Sequence, residues 1–281
     1  MSPIRLGGGG FGGGAGRLII GAIMAIGALI TYFSSSSVNE VTGEKQRVAL
    51  TKEQEIGLGL QAKPEIMKQY GGEHPDPAAQ ALVDRVGQKI VSSTAASKIG
   101  YKYDFHLLRD EQTVNAFALP GGQIFITMAL LKRLETEAQL AGVLGHEIGH
   151  VVGRHSAEQM AKQQLTQGLT GAAVLATYDP YDPSSYGSAA IAQLIGNMVN
   201  MKYGRDDELE SDNLGVKFMA EAGYDPNAMI RVMQILADAS GGKSRQPEFA
   251  STHPNPENRI ARIKEAIQDQ YPNGVPAGLL K

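Results

Sequence analysis

The feature that most constrains the fold is a pair of histidines four positions apart, His146 and His150, with Glu147 directly after the first. On a helix, the two imidazoles stand about 40° apart around the axis and about 6 Å apart along it, so both can reach one metal ion. Glu147 then lies beside that ion, where its carboxylate can take a proton from a metal-activated water. This spacing is typical of zinc peptidases. The alternative is a core helix that contains two histidines and binds no metal.

The residues around this motif favour a buried helix. Thr136 followed by Gln139 is a capping-box pattern, which predicts a helix start. From Ala138 to Gly153 the only fully charged residue is Glu147, whereas a surface helix would carry a charged outer face. Three interior glycines would each cost the isolated helix about 1 kcal/mol relative to alanine, but they let other backbone approach closely. These glycines are Gly142, Gly145 and Gly149.

Cysteine is absent from the chain, which narrows the choice of metal ligands. Disulfides, thiolate zinc sites and a cysteine nucleophile are excluded, so histidine, aspartate and glutamate remain as ligands. The net charge of −3 also offers no basic footprint for nucleic acid. We therefore expect no nucleic-acid partner.

An acidic stretch downstream is the expected source of a third ligand. Glu208 and Asp212 are four residues apart, so they lie on the same side of a helix. One carboxylate can bind the metal while the other accepts the free ring N–H of a ligand histidine. An acidic run alone is usually a solvated helix face, but an upstream His-Glu-x-x-His motif favours a ligand here.

The other histidines are assigned individually. His155 is nine residues after His146 and would face the opposite side of a continuing helix, so we do not expect it to be a ligand. His106 is expected on the solvated side of a strand. His253 lies in the rigid loop Thr252–Pro256. It is a candidate for an extra metal ligand or for stabilising a reacting oxyanion, and the alternative is that it only orders the loop.

Three strands are predicted before the motif. Tyr101–Leu108 alternates apolar and polar residues, and Asn115–Leu119 and Gln123–Thr127 flank a Pro-Gly-Gly turn. The strand that begins at Asn115 is a candidate edge strand, which could hold an extended peptide through main-chain hydrogen bonds. A plain structural hairpin is the alternative.

The N-terminal part predicts a membrane segment. Residues 1–17 form a glycine-rich tail, and residues 18–33 form an uncharged apolar run of about 24 Å if helical. Arg17 precedes the run, so we expect a transmembrane anchor with the rest of the chain on the extracytoplasmic side, periplasmic in a bacterium. A cleaved signal with a secreted or periplasmic protein, or a buried helix of the soluble domain, is the alternative. Residues 34–50 are a predicted linker and residues 51–281 a predicted peptidase domain.

Four separated blocks of the sequence resemble one known family. They are Asn115–Gly122 with Ile126-Thr127, Ala138–His150 through His155, Arg205-x-x-Glu208-x-x-x-Asp212, and Ser251–Pro254 followed by Arg259-Ile260. On these blocks the chain resembles the HtpX-like and CAAX prenyl protease family of zinc metallopeptidases, within the gluzincins. It is most similar to the short extracytoplasmic members with a single anchor. The chain departs from the family pattern at Ser211, where alanine is common.

The resemblance implies a fold and a site. The implied fold is α+β, a mostly helical zincin-type domain with a small antiparallel sheet beside the metal-motif helix, preceded by the membrane segment. One zinc ion per chain would be held by His146, His150 and Glu208, with Glu147 as general base and Asp212 in support.

Two functions from different classes remain open. The first is a membrane-anchored zinc endopeptidase that hydrolyses unfolded or misassembled polypeptides through zinc-activated water, as in protein quality control. Asn115 would help to hold the substrate, and the oxyanion candidates are Tyr203, Arg205 and His253. The second is a metal-stabilised binding or chaperone module with a closed cleft, in which His253 could be the fourth ligand. Glu147 favours the first, because a structural zinc site needs no such acid.

Overall fold

A computed structural model describes the chain at residues 14–177, 203–240, 248–253 and 259–281. The helices are α1 (Gly14–Ser34), α2 (Lys52–Gln69), α3 (Pro77–Ser93), α4 (Met128–Leu131), α5 (Glu137–Gly153), α6 (His155–Thr177), α7 (Arg205–Glu221), α8 (Ala228–Ser240), α9 (Glu248–Thr252) and α10 (Arg259–Gln270). The strands are β1 (Ser36–Val38), β2 (Lys45–Arg47), β3 (Asp104–Leu108), β4 (Ala116–Ala118) and β5 (Gln123–Thr127). The prediction of a mostly helical α+β fold is confirmed. The predicted glycine-rich tail, up to residue 13, and the loop after His253 lie outside the described residues.

The main sheet has three strands in the order β3-β5-β4. The hairpin of β4 and β5 is antiparallel, as predicted, and Gly121 and Gly122 have positive φ in its turn. β3 instead pairs parallel with β5, so the sheet is mixed and the prediction of an antiparallel sheet is wrong for this strand. β4 follows β3 in sequence but is not its neighbour in the sheet, because β4 pairs with the opposite edge of β5. As a result β4 is an edge strand.

Helices cover both faces of this sheet, which corrects the expectation for His106. One face packs in the main core with α3 and α5, and the other packs against Ile66 of α2 and Tyr70, the residue that follows this helix. His106 lies on the second face and is only 3% exposed. Its Nε2 lies 2.9 Å from Oε1 of Gln123, and its ring packs on Phe125. The residue is therefore buried, although the strand pattern suggested a solvated side.

Helix α5 runs through the middle of the core, and every residue from Ala138 to Gly153 is buried. Thr136 caps it by accepting a hydrogen bond from the backbone N–H of Gln139. The side chain of Gln139 accepts from Glu135 instead of Thr136, so only half of the predicted capping box forms. The glycines do allow close approach: a Cβ added to Gly149 would lie 2.9 Å from the carbonyl oxygen of Ser211 on α7.

The predicted linker, residues 34–50, contains the antiparallel hairpin of β1 and β2. Buried side chains of this hairpin cap the C-terminal end of α5. Asn39 donates to the carbonyl of Val152 at 2.8 Å, and Gln46 donates to the carbonyl of Gly153. This supplies partners for carbonyls that the end of a helix leaves unpaired.

Helix α1 contains the predicted membrane segment and packs along α6. Many of its apolar side chains are exposed. They are Leu18, Ile19, Ile20, Ile23, Met24, Ile26, Leu29, Ile30 and Phe33. Within the described ranges, no helix combines the length and the apolar character that crossing a bilayer requires.

Candidate metal centre

Four buried side chains converge where α5, α7 and the end of α9 meet. His146 and His150 come from α5, Glu208 comes from α7, and His253 directly follows α9. Each residue offers one ligand atom, and these atoms all lie within 4.8 Å of one another. The two histidines and the glutamate are the three predicted metal ligands, and the fourth member is the histidine retained as an extra candidate.

The spacing of the four ligand atoms fits a single metal ion. His146 Nε2 lies 3.0 Å from His150 Nε2 and 3.4 Å from His253 Nδ1. Glu208 Oε1 lies 3.0 Å from His253 Nδ1 and 3.5 Å from His150 Nε2. Zinc bonds of about 2.0–2.1 Å place tetrahedral ligands about 3.3–3.4 Å apart. The residues therefore fit a zinc ion, and the His/Glu ligand set alone does not exclude another divalent metal.

Beside this cluster, Glu147 places a carboxylate that has no hydrogen-bond partner among the described residues. Both of its oxygens are buried, and neither has a hydrogen-bond partner within the described part of the chain. Its Oε1 lies 3.6 Å from Nε2 of His253. Burial raises the pKa of Glu147 above its ordinary value. A buried, unpartnered carboxylate beside a metal site is where a base for a water molecule is expected.

The surroundings of the cluster hold two of its members, His150 and Glu208, in metal-binding form. Burial lowers the pKa of His150 well below its ordinary value, which favours the neutral imidazole. Burial alone would raise the pKa of Glu208, but the positive charges of His253 and Arg259 lower it well below the usual range. Neutral imidazole and ionised carboxylate are the forms that bind metal. For His253, burial alone would lower the pKa, but the carboxylates of Glu208 and Glu147 raise it, which favours the protonated ring.

Asp212, the predicted supporting acid, lies behind His146. Its Oδ1 lies 2.9 Å from Nδ1 of His146, which leaves Nε2 directed into the cluster. Asp212 also accepts hydrogen bonds from Nε and Nη2 of Arg259 at 2.7 and 2.8 Å. Nη1 of the same arginine lies 3.1 Å from Oε2 of Glu208.

Arg259 was not predicted to be a site residue, although it lies in one of the blocks that carry the family resemblance. The residue begins α10 and is only 2% exposed. The signal in the sequence is an arginine directly before the apolar stripe of that helix. Because single arginines are usually solvated, only the fold shows that this one balances the buried acids.

His155 lies next to His150 on the side away from the other ligands. The two Nδ1 atoms are 2.9 Å apart, and Nε2 of His155 is 2.7 Å from Oε2 of Glu210. His155 is not among the four converging residues. Its contact with His150 was not predicted, because a continuing helix would place His155 on the opposite side. α5 ends at Gly153, and Arg154 turns the chain with a φ of 57°.

The remaining candidates lie at different distances from the cluster. Tyr203 stacks on the ring of His150 at 3.9 Å, and its hydroxyl bonds to Ser156 at 2.9 Å. Arg205 is exposed at the first residue of α7, outside the buried cluster.

Asn115 directly precedes the edge strand β4. Its Nδ2 donates to Oε1 of Glu248 on α9 at 3.2 Å. Tyr70 also donates to this carboxylate oxygen. The three side chains thus connect the start of the edge strand to the short helix that leads into His253.

Comparison with known proteins identifies similar sequences. Residues 77–267 match the model of peptidase family M48. The beta-barrel assembly-enhancing protease of Escherichia coli (strain K12) is 30% identical over 230 residues, which cover 77% of this chain and 45% of that protein. The mitochondrial metalloendopeptidase OMA1 of Schizosaccharomyces pombe is 31% identical over 257 residues, which cover 89% and 72%. The chain thus spans less than half the length of the bacterial relative.

Proposed function

Because the chain belongs to peptidase family M48, we propose that it is a zinc endopeptidase that cleaves unfolded or misassembled polypeptides. The prediction of an HtpX-like zinc metallopeptidase is confirmed at the level of the family. The observation that carries the proposal is the unpartnered carboxylate of Glu147 beside His146, His150 and Glu208. The names of the relatives, an assembly-enhancing protease and a metalloendopeptidase, support a role in protein quality control.

The proposed mechanism assigns proton transfer to Glu147. Zinc held by His146, His150 and Glu208 would supply a Lewis acid that polarises a peptide carbonyl and acidifies water. Glu147 would accept a proton from the attacking water and later donate it to the leaving amine. Of the proposed oxyanion donors, His253 belongs to the buried cluster and the buried Tyr203 stacks on His150, whereas Arg205 is exposed.

The edge strand β4 is the proposed site for the substrate backbone. Asn115 and Leu119 exchange hydrogen bonds with β5, so the alternation of an antiparallel pair turns the peptide groups of Ala116 and Ala118 away from it. These groups would bond an extended polypeptide whatever its sequence. Both alanines are buried, so a substrate strand requires this edge to be uncovered first.

Replacing Glu147 tests the proposal directly. Glu147→Gln keeps the shape of the side chain and removes the base, so cleavage of casein, a loosely folded protein, should fall by at least about 100-fold. Glu65→Gln on the exposed surface of α2 is the matched control and should cleave at the wild-type rate. Unchanged cleavage by the Glu147 variant, at equal zinc content, would refute the mechanism. A stably folded protein of similar size should resist the wild-type enzyme.

A second function is favoured by one specific observation, the approach of His253 to the other three ligands. A zinc ion with four protein ligands is typical of a structural site. The chain would then be either a latent protease or a metal-stabilised binding module with a closed cleft. His253→Ala separates these possibilities. A rise in casein cleavage identifies latency, whereas no activity in either form favours the binding module.

The N-terminal segment is proposed to hold the protein at a membrane. The exposed apolar side chains of α1 support this, since a water-exposed apolar surface of this extent is unfavourable. In this arrangement residues 18–33 attach the chain, residues 34–50 connect it and residues 51–281 form the peptidase domain on the extracytoplasmic side. A cleaved signal and a secreted protein is the alternative. Alkaline carbonate extraction of membranes, with protease accessibility of the intact cells or vesicles, distinguishes the two arrangements.

A further inference from the structure

Two residues outside the ligand set form a hydrogen-bonded chain behind His150. Nδ1 of His150 lies 2.9 Å from Nδ1 of His155, and Nε2 of His155 lies 2.7 Å from Oε2 of Glu210. Both histidines are 1% exposed, while the side chain of Glu210 is 22% exposed. These hydrogen bonds therefore lead from the buried cluster outward to a carboxylate with access to water.

The positions of the nitrogens allow one consistent arrangement of protons. Nε2 of His150 faces the cluster, so a neutral, metal-binding imidazole carries its proton on Nδ1. That proton is donated to Nδ1 of His155, which must therefore be the accepting nitrogen. The proton of His155 is then on Nε2 and is donated to the carboxylate of Glu210. Each hydrogen bond thus fixes the tautomer of the next ring.

The backbone around His155 leaves space for its ring because residue 153 is a glycine. A Cβ added to Gly153 would lie 2.4 Å from Nε2 of His155, so glycine is needed where this ring lies against the last turn of α5. Arg154 then turns the chain, and its guanidinium is held by the buried carboxylate of Glu55 at 2.9 Å. The hydroxyl of Ser211, the residue that departs from the family pattern, lies 3.3 Å from Nδ1 of His155.

We propose that His155 and Glu210 are positioning residues that orient His150 for metal binding, an inference that rests on the proposed zinc site. His146 has a carboxylate directly behind it, Asp212 at 2.9 Å. His150 has its carboxylate one imidazole further away. Helix α7 thus supplies a supporting acid to both histidine ligands, in addition to the ligand Glu208. Such partners typically change metal affinity by about 10–100-fold.

The test measures zinc affinity, by competition with a chelator, on the full chain. His155→Phe keeps a ring and removes both hydrogen bonds, so zinc affinity should fall by about 10–100-fold. His155→Asn places an amide oxygen near the position of Nδ1 and should restore most of the affinity. His155→Gln places its amide near the position of Nε2, keeps only the contact with Glu210 and should not. Glu210→Gln should weaken zinc binding several-fold. In a protein that already carries His155→Phe it should cause little further loss of zinc affinity, because both residues act on His150 through the same series of hydrogen bonds.

Controls separate positioning from folding. The melting temperature of the metal-free protein should be similar for the Asn and Gln variants, although their zinc affinities differ. His106→Phe replaces another buried histidine, whose contacts include Gln123, Phe125 and Asp104, and should leave zinc affinity unchanged. Wild-type zinc affinity in His155→Phe, or equal losses of zinc affinity in the Asn and Gln variants, would overturn the positioning role of His155 and Glu210 but not the proposed zinc site. A wild-type chain that binds no zinc would overturn the proposed function together with this positioning role.

Discussion

Arg259 donates two hydrogen bonds to Asp212, at 2.7 and 2.8 Å, directly behind the ring of His146. Both residues are only 2% exposed. Burial alone would raise the pKa of Asp212, but the charge of Arg259 and its hydrogen bonds lower it below the ordinary value. The arginine thus keeps the carboxylate ionised, and the ionised carboxylate in turn orients a proposed metal ligand.

Removing Arg259 should strongly destabilise the fold. Arg259→Leu leaves the buried carboxylates of Asp212 and Glu208 without their cation, and breaking a buried ion pair in this way costs about 3–5 kcal/mol. Urea denaturation of the metal-free protein measures the loss. Arg262→Leu is the control, since this exposed arginine of α10 forms a surface ion pair with Glu265. Its loss should cost less than about 1 kcal/mol of unfolding free energy. Equal losses for the two variants would contradict the buried pairing.

Two glycines of α5 should respond oppositely to alanine. In Gly149→Ala the new methyl group would meet the Ser211 carbonyl at 2.9 Å, so α7 must shift, and we expect a loss of about 1–3 kcal/mol. In Gly142→Ala the nearest atom is 3.5 Å away, and the gain in helix propensity of up to about 1 kcal/mol should dominate. Thermal unfolding of both variants tests this difference. Zinc affinity should fall only for Gly149→Ala, because α7 carries Glu208.

Metal should stabilise the chain without requiring Glu147. At free zinc about 100-fold above the dissociation constant, linkage adds about 2.7 kcal/mol to the free energy of unfolding. A chelator should therefore lower the melting temperature of the wild type and of Glu147→Gln by similar amounts. His146→Ala should show little response to zinc. A Glu147 variant that no longer responds to zinc would assign this residue to the ligands instead.

The start of α5 should show a pH-dependent contribution to stability. Hydrogen bonds from Arg85 at 2.7 and 2.8 Å lower the pKa of Glu137, with a further contribution from the hydroxyl of Tyr224. Because the folded pKa is below the unfolded value of about 4.3, the stabilisation is present above that pH and is lost as the pH falls through the folded pKa. The pair is partly exposed, so the difference between wild type and Glu137→Gln should be at most about 1 kcal/mol at pH 7.

Denaturant unfolding at pH 7 and at pH 3 measures this difference. The stability gap between wild type and Glu137→Gln should be smaller at the lower pH, where the carboxyl begins to protonate. Arg85→Met at pH 7 should produce a similar loss and should remove most of the effect of Glu137→Gln. A gap that is unchanged or larger at pH 3 would contradict the role of ionised Glu137.

Local periodicity was sufficient for much of the proposed site. The helical spacing of His146 and His150, and of Glu208 and Asp212, places each pair on one side of its helix, whatever surrounds it. Contacts that depend on where a helix ends were not predictable. His155 contacts His150 only because the chain turns at Arg154, a non-glycine residue with positive φ.

Burial was harder to predict than local structure. The strand that contains His106 alternates apolar and polar residues, and this pattern carries no information about α2, which packs on the polar side. Arg259 was overlooked for a related reason. A lone arginine in the sequence does not show whether acids from another helix surround it in the fold.

The hairpin of β1 and β2 connects the end of α1 to the proposed metal-binding helix α5 through hydrogen bonds. Asn39 and Gln46 lie 5 and 12 residues after Ser34, where α1 ends, and donate hydrogen bonds to the final carbonyls of α5. The accepting carbonyls belong to Val152 and Gly153, within one helical turn of His150. A force applied to the N-terminal helix would thus be transmitted through this hairpin to the last turn of α5.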